Sequence, residues 1–187
     1  VTVIKDDKTM NAFALPGGKI AVYTGIFPVA KTEAGLAAVM GHEVVHALAR
    51  HGGERMSQNT LAQTTLQAIG IALGVSGANP VVSQGAMAAL GVGAQVGVLL
   101  PFSRKHESEA DYVGVLLAAD AGYDPRESIQ LWTRMGELSG GKSASEFMST
   151  HPSHETRIEQ LEEWMSEAMP IYQSKPPAPN HELPALR

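Results

Sequence analysis

Cysteine is absent from this 187-residue chain, and aromatic residues make up only 5% of it. The lack of cysteine excludes disulfides, cysteine-based zinc fingers and thiol nucleophiles, so any metal ion must be held by histidine, aspartate or glutamate. The net charge of −5 gives no electrostatic reason to expect a nucleic-acid partner. The rest of the composition is ordinary, and the length suits one domain with a sizeable core.

Long hydrophobic runs are also scarce. The nearest to one is GAMAALGVGAQVGVLLPF, residues 85–102, in which Gln95 is the only polar side chain. Four glycines and a proline interrupt it, so we expect residues 61–102 to form glycine-rich helices, buried in the core or packed over a cleft. The alternative is a membrane-contacting hairpin, which would give a membrane-surface association through residues 61–102. The chain begins with valine, so its sequence carries no information on a signal peptide or an anchor.

The local patterns predict an α+β fold: a mostly α-helical single domain with a small β-sheet. Strand-like runs occupy the first 28 residues, where a Pro-Gly-Gly turn separates AFAL from KIAVYT. Thr32 is a typical N-cap for a helix over residues 33–51. Further helices are predicted at residues 103–121, at 124–138 and from near Ser153 onward. The domain is predicted to cover residues 1–172, and the Pro-rich residues 173–187 are predicted to form an extended or disordered tail.

The motif with the strongest chemical meaning is GHEVVHALARH, residues 41–51, in which Glu43 directly follows His42 and His46 lies four residues beyond it. On an α-helix, residues at this spacing lie about 6 Å apart along the axis and nearly on one face. Both imidazoles can therefore bind one ion at the distance of about 2.0–2.1 Å that is typical of zinc. Glu43, rotated by about 100° from His42, would lie beside the ion, where it could take a proton from the attacking water and pass it to the leaving amine.

Coincidence is the alternative explanation of this pentapeptide. However, two histidines and a glutamate that face an apolar interior would be costly without a metal or other partners. The metzincin extension of the motif requires glycine and histidine at positions that are here Ala49 and Gly52, so that extension is absent. His51 is therefore interpreted as a helix-end residue rather than a ligand.

A third ligand is expected from a later helix. The segment SRKHESEAD offers Glu107 and Asp111, which are four residues apart on one helical face, whereas Glu109 points about 200° away from Glu107. Glu107 would bind the metal, and Asp111 would accept a hydrogen bond from the N–H of a ligating imidazole. One turn of this helix would then supply both a ligand and a residue that orients another ligand. The alternative is a solvated acidic face, and His106 is expected at the helix surface.

Four blocks in this order resemble the HtpX-like and CAAX-prenyl-protease-type zinc metallopeptidases, a gluzincin family. They extend over about residues 10–160 and read NAFALPGGKIAVYTGIF, GHEVVHALARHG, SRKHESEADYVG and STHPSHETRI. Because the chain has no convincing transmembrane helix, it is most similar to the soluble, envelope-facing branch of that family. The resemblance implies a zincin-like fold in which the small sheet lies beside the HExxH helix and one strand lines the cleft.

The resemblance also implies site residues. One zinc ion per chain would be held by His42, His46 and Glu107, with Glu43 as the general base and Asp111 supporting a ligating imidazole.

The last block implies two further catalytic residues: His151 near the metal, as a gate or transition-state contact, and Arg157 as an oxyanion stabiliser. Taken alone, both would be interpreted as surface residues, since HPSHETRI is an ordinary helix start.

The function expected from these observations is that of a zinc-dependent metalloendopeptidase. It would hydrolyse peptide bonds of unfolded or misassembled proteins in the quality control of the bacterial cell envelope, and the resemblance implies a periplasmic location. The alternative is a chaperone-like, substrate-capturing module with a latent or structural zinc site, which His151 would close. The oligomeric state stays open.

Overall fold

The computed structural model describes residues 1–15, 17–75, 79–80, 84–85, 88, 100–139, 151 and 156–185. The chain divides into two compact units, of which the first comprises Val1–Ala49 with His106–Arg187 and the second Arg50–Lys105. Of residues 61–102, for which buried helices or a membrane-contacting hairpin were predicted, residues 76–78, 81–83, 86–87 and 89–99 lie outside the described part of the chain. Within the described part of the chain, none of the helices has the length and apolarity needed to cross a membrane.

The first unit contains a three-stranded sheet. Its strands are Thr2–Ile4 (β1), Ala12–Leu15 (β2) and Lys19–Tyr23 (β3). β3 lies in the middle, parallel to β1 and antiparallel to β2. The turn between β2 and β3 contains Gly17 and Gly18 with φ angles of 89° and 78°, which favour glycine. The sheet is small, and β2 forms one of its edges.

Two helices follow the sheet. A short helix covers Phe27–Ala30 (α1), and the helix with the two motif histidines covers Glu33–Leu48 (α2). Thr32 is the N-cap of α2, as predicted, and its side chain accepts a hydrogen bond from the backbone N–H of Gly35 at 3.2 Å.

The predicted end of this helix at residue 51 is wrong. Arg50 has a φ of 58°, a left-handed conformation that ends a helix, and His51 begins a new helix, His51–Val75 (α3), in the second unit. Gly52 and Gly53, which directly follow the predicted end of the helix, lie inside α3.

Three more helices complete the described chain. They are Leu100–Asp120 (α4), Arg126–Ser139 (α5) and Arg157–Gln173 (α6). A capping aspartate precedes α5, because Asp124 Oδ1 accepts the backbone N–H of Arg126 at 3.0 Å. The predicted start of the last helix near Ser153 lies outside the described residues.

The core of the first unit lies between the inner face of the sheet and helices α1, α2, α5 and α6, with Val115 and Ala119 of α4. Burying these apolar side chains is the main favourable contribution to folding. The largest fully buried apolar side chains are Ile26, Leu131, Met135, Leu161, Val22, Val29 and Val39. The predicted α+β fold, mostly helical with a small sheet, is confirmed.

The segment after α6 is extended and joins the start of α2. The backbone N–H of Glu33 donates to the carbonyl of His181 at 3.0 Å, and that of Ala34 donates to Asn180 Oδ1 at 2.9 Å. The first N–H groups of a helix have no partner within the helix itself. The tail therefore caps the helix that contains the HExxH motif.

Candidate metal centre

Helix α2 brings the two motif histidines together on its buried face. The Nε2 atoms of His42 and His46 lie 3.0 Å apart, and the two rings meet edge to face with their centroids 4.6 Å apart. The side chain of His42 is 4% exposed and that of His46 is 11% exposed. The four-residue spacing in the sequence thus becomes a pair of imidazoles that point at one position.

Two glycines allow α2 and α4 to cross in backbone contact next to this pair. A Cβ atom on Gly41 would come within 2.7 Å of the carbonyl oxygen of Gly114, and one on Gly114 would come within 2.9 Å of the backbone nitrogen of His42. Real Cβ atoms essentially never approach backbone that closely. The close crossing is what brings the side chains of α4 within reach of the histidines.

We therefore expect Gly114→Ala to lower the free energy of unfolding by about 1–3 kcal/mol, since the clash is with backbone and forces the helices apart. Denaturant unfolding of the metal-free protein measures this. Gly136→Ala is the matched control because it lies in α5 with nothing within 4 Å of the new methyl group. That control should gain about 0.5–1 kcal/mol from the better helix propensity of alanine. Equal stability of the two variants would contradict a tight crossing.

Helix α4 supplies the two predicted carboxylates, both buried. The oxygens of Glu107 lie 3.3 Å from His42 Nε2 and 3.5 Å from His46 Nε2. Asp111 Oδ1 lies 2.8 Å from His42 Nδ1. Because an ionised carboxylate only accepts hydrogen bonds, Nδ1 of His42 is the donor, which leaves the lone pair of Nε2 directed at the cluster.

His151 completes the cluster from the segment before α6. Its Nδ1 atom lies 3.2 Å from His42 Nε2 and 3.2 Å from both oxygens of Glu107. Its Nε2 atom lies 3.3 Å from Glu43 Oε1. His151 is 6% exposed. The surface position suggested by its local sequence alone is therefore wrong. The structure places it near the motif histidines, as the resemblance implies.

Arg157, at the first position of α6, lies behind the two carboxylates and is 1% exposed. Its Nε–H donates to Asp111, and its Nη2–H donates to Glu107 Oε2 at 3.0 Å. Its guanidinium carbon lies 3.5 Å from the centroid of the Trp132 ring on α5. Among the described residues, Nη1 of Arg157 has no hydrogen-bond partner.

Glu43 lies on the sheet side of the cluster and is 1% exposed. It accepts a hydrogen bond from the backbone N–H of Ala14 in β2, so this N–H points away from β3 and towards α2. Burial raises the pKa of Glu43 above its usual value. Oε1 of Glu43 faces His151 Nε2 at 3.3 Å and makes no hydrogen bond with the described residues.

The charges of the cluster favour positive charge at the histidines. Burial by itself would lower the pKa of His42, but the hydrogen bonds and charges of Asp111 and Glu107 raise it to about 9. Burial would raise the pKa of Glu107, but His151 and His42 hold it well below its usual range. The carboxylates therefore favour either a proton on His42 or a cation bound at its Nε2 atom.

The donor set fits one divalent cation. The ligand atoms of His42, His46, Glu107 and His151 all lie within 4.8 Å of one another. Two ligands at zinc distances and a tetrahedral angle are about 3.3 Å apart, and the three pairs that join the two motif histidines and Glu107 measure 3.0, 3.3 and 3.5 Å. When they are ionised, Glu43, Glu107 and Asp111 carry three negative charges and Arg157 carries one positive charge. One divalent cation balances the remaining two negative charges.

Some residues of this region were missed or misplaced by the sequence interpretation. The sequence did not identify Trp132 as part of the site, because a tryptophan on an amphipathic helix is normally interpreted as a core residue. His106, expected at the surface, is only 6% exposed, because the face of α4 that holds it is buried. His51, interpreted as a helix-end residue, is the first residue of α3 and is not among the four clustered residues.

The fold and the site together define a class: a zincin-like domain in which an HExxH helix faces a glutamate on a second helix, as in metallopeptidases. The chain belongs to peptidase family M48, whose family model matches residues 1–165. Membership confirms the resemblance to the HtpX-type peptidases and the metallopeptidase class that it implied.

Individual relatives give the same family. The mitochondrial metalloendopeptidase OMA1 of Schizosaccharomyces pombe is 43% identical over 164 residues, which cover 87% of this chain and 45% of that protein. The OMA1 protein of Arabidopsis thaliana is 40% identical over 91% of this chain and 33% of its own length. The beta-barrel assembly-enhancing protease of Yersinia pestis is 28% identical over 80% of this chain and 31% of its own. The chain thus spans less than half the length of each of these relatives.

The periplasmic location expected from the sequence is wrong. The relatives at 43% and 40% identity are mitochondrial, whereas the matching bacterial proteases of Vibrio cholerae and Yersinia pestis are 33% and 28% identical. The error has a physical reason: the four blocks that gave the resemblance build the active-site region, and that chemistry does not depend on the compartment.

Proposed function

We propose that this chain is the catalytic domain of a zinc-dependent endopeptidase, in which His42, His46 and Glu107 hold one zinc ion and Glu43 is the general base. The observation that carries the proposal is the convergence of these ligand atoms within 4.8 Å, next to a buried glutamate with a raised pKa. Asp111 supports the first ligand by accepting the Nδ1–H of His42.

Bound zinc supplies Lewis acidity and brings the pKa of a water at the site to around 7. Glu43 takes the proton of the attacking water and later gives it to the leaving amine, so its carboxyl group must exchange a proton near neutral pH. Its raised pKa suits this exchange. His151 is proposed to contact the transition state from beside Glu43. Arg157 is proposed to add to the stabilisation of the oxyanion through its Nη1 atom, as a contribution secondary to its hydrogen bonds with Glu107 and Asp111.

The proposed substrate is an extended segment of a protein chain. Strand β2 is an edge of the sheet, and the N–H of Ala14 on that edge points at Glu43. A peptide that adds to this edge by main-chain hydrogen bonds would run past the general base. Unfolded or misassembled proteins offer such segments, so we propose a role in protein quality control. A membrane-surface association through residues 61–102 stays a prediction.

Metal content tests the proposal directly. The purified protein should contain one zinc ion per chain, lose cleavage of unfolded casein when a chelator removes the ion, and regain it when zinc is returned. His46→Ala should lower the zinc content, because only two of the three proposed ligands remain. Elemental analysis that finds no transition metal in protein prepared without chelators would contradict the proposal.

A second candidate function rests on the position of His151. With its Nδ1 atom 3.2 Å from both His42 and Glu107, it can act as a fourth ligand, and fully ligated zinc sites are structural whereas catalytic ones keep a position open. The chain would then capture substrates around a latent zinc site. Zinc-loaded protein that binds casein without cutting it, and that begins to cut after His151→Ala, would favour this candidate.

A further inference from the structure

We propose that Trp132 is a positioning residue of the metal centre, whose ring holds the Arg157 guanidinium where it fixes the carboxylates of Glu107 and Asp111. The inference rests on the proposed zinc site and extends it to a third helix, α5. Trp132 is not one of the proposed ligands, and its effect on the centre is assigned mainly to its contact with Arg157.

The contact between the two side chains is close and buried. The guanidinium carbon of Arg157 lies 3.5 Å from the centroid of the Trp132 ring, and the residues are 1% and 6% exposed. Attraction between a cation and an aromatic face is strongest for tryptophan and grows when the pair is removed from water. Arginine, being planar, also stacks on the ring in a way that lysine cannot.

The orientation of Arg157 matters because two hydrogen bonds leave it for the metal centre. Nε–H donates to Asp111 and Nη2–H donates to Glu107 at 3.0 Å. Asp111 in turn accepts the Nδ1–H of His42 at 2.8 Å. A rotation of the guanidinium plane would therefore disturb one proposed ligand directly and a second through its supporting carboxylate.

An aromatic ring, rather than any apolar side chain of similar size, is needed here. Nη1 of Arg157 is buried with no hydrogen-bond partner among the described residues, and burying a charged N–H group without a partner in the protein is costly. The negative face of the indole ring offsets part of that loss. The Trp132 and His42 rings also meet edge to face, with centroids 5.9 Å apart and planes at 65°, which restricts the ring of the first ligand.

The test measures zinc affinity by competition with a chromophoric chelator for the wild type, Trp132→Phe and Trp132→Leu. Leucine keeps an apolar filling but has no aromatic face, so we expect its dissociation constant for zinc to rise about 10–100-fold. Phenylalanine keeps a weaker face and should lose less. Trp164→Leu is the matched control: this tryptophan lies on α6 against Tyr112, with centroids 5.2 Å apart, and its loss should leave zinc affinity unchanged.

A double-mutant cycle with Arg157 distinguishes the proposed role of Trp132 from a role in core packing alone. In an Arg157→Lys background, the planar stack is already lost, so Trp132→Leu should raise the dissociation constant by a clearly smaller factor than it does in the wild type. The same factor in both backgrounds would overturn the proposal. Should Trp132→Leu fail to fold, the same cycle with Trp132→Phe answers the question, and additive effects would again overturn it.

The outcomes separate this inference from the proposed function. Wild-type protein that binds no zinc contradicts the function and the inference together. Wild-type protein that binds and uses zinc, while Trp132→Leu retains its affinity, overturns the role of Trp132 alone. Trp164→Phe leaves Trp132 as the only tryptophan of the chain, so its fluorescence should change when Co²⁺ is added; unchanged emission would place the ring outside the centre.

Discussion

Replacing Glu43 by glutamine should leave zinc bound and lower the rate of casein cleavage by about 10²–10⁴-fold, the usual contribution of a general base. Glutamine has nearly the same shape as glutamate and can occupy the same space between β2 and the histidines. It has no basic oxygen to take the proton of the attacking water. The loss is therefore expected in kcat, with metal content and fold unchanged.

Glu162→Gln is the control for this substitution, because Glu162 is exposed on α6. That variant should cleave at the wild-type rate. Elemental analysis and circular dichroism on all three proteins would show that zinc and fold are retained. A Glu43→Gln enzyme that cuts at a normal rate would refute the assignment of the base, and one that lost its zinc would indicate a ligand role instead.

The local parts of this fold could be predicted because short-range rules determine them. The i, i+4 spacing puts His42 and His46 on one face of α2 whatever surrounds the helix. Thr32 satisfies the first turn of α2 through its own side chain. The end of α2 was misplaced because Arg50 adopts a left-handed conformation, which the sequence usually indicates by a glycine at that position. For residues 173–187 the sequence predicted an extended or disordered tail, and it gave no indication of the hydrogen bonds that join this segment to the start of α2.

From the residues alone, the site could be predicted only where the geometry of a single helix determines which side chains share a face. Glu107 and Asp111 were suggested by their spacing, but their approach to His42 depends on the two glycines at the crossing of α2 and α4, and no local pattern marks such a crossing. His151 was suggested by the family resemblance alone. Trp132 could not be found either way, because its contribution exists only where α5 packs behind Arg157.

Replacing Arg157 by methionine should lower the free energy of unfolding of the metal-free protein by about 3–5 kcal/mol, the typical cost of removing one partner from a buried ion pair. Methionine fills part of the volume of the arginine side chain, but it removes the two N–H groups from which Glu107 and Asp111 accept hydrogen bonds. Such a loss is large against the total stability of about 5–15 kcal/mol that ordinary domains have. Denaturant unfolding with and without zinc measures it.

The same variant separates two roles for Arg157. If its main contribution is to stabilise the oxyanion, Arg157→Met should lower kcat while stability and zinc affinity stay close to the wild type. If its main contribution is to hold the two carboxylates, stability and zinc affinity should fall together, and added zinc should restore part of the stability by binding the folded state. We expect the second result, because two of the three guanidinium nitrogens already donate to Glu107 and Asp111 and only Nη1 is left for a substrate.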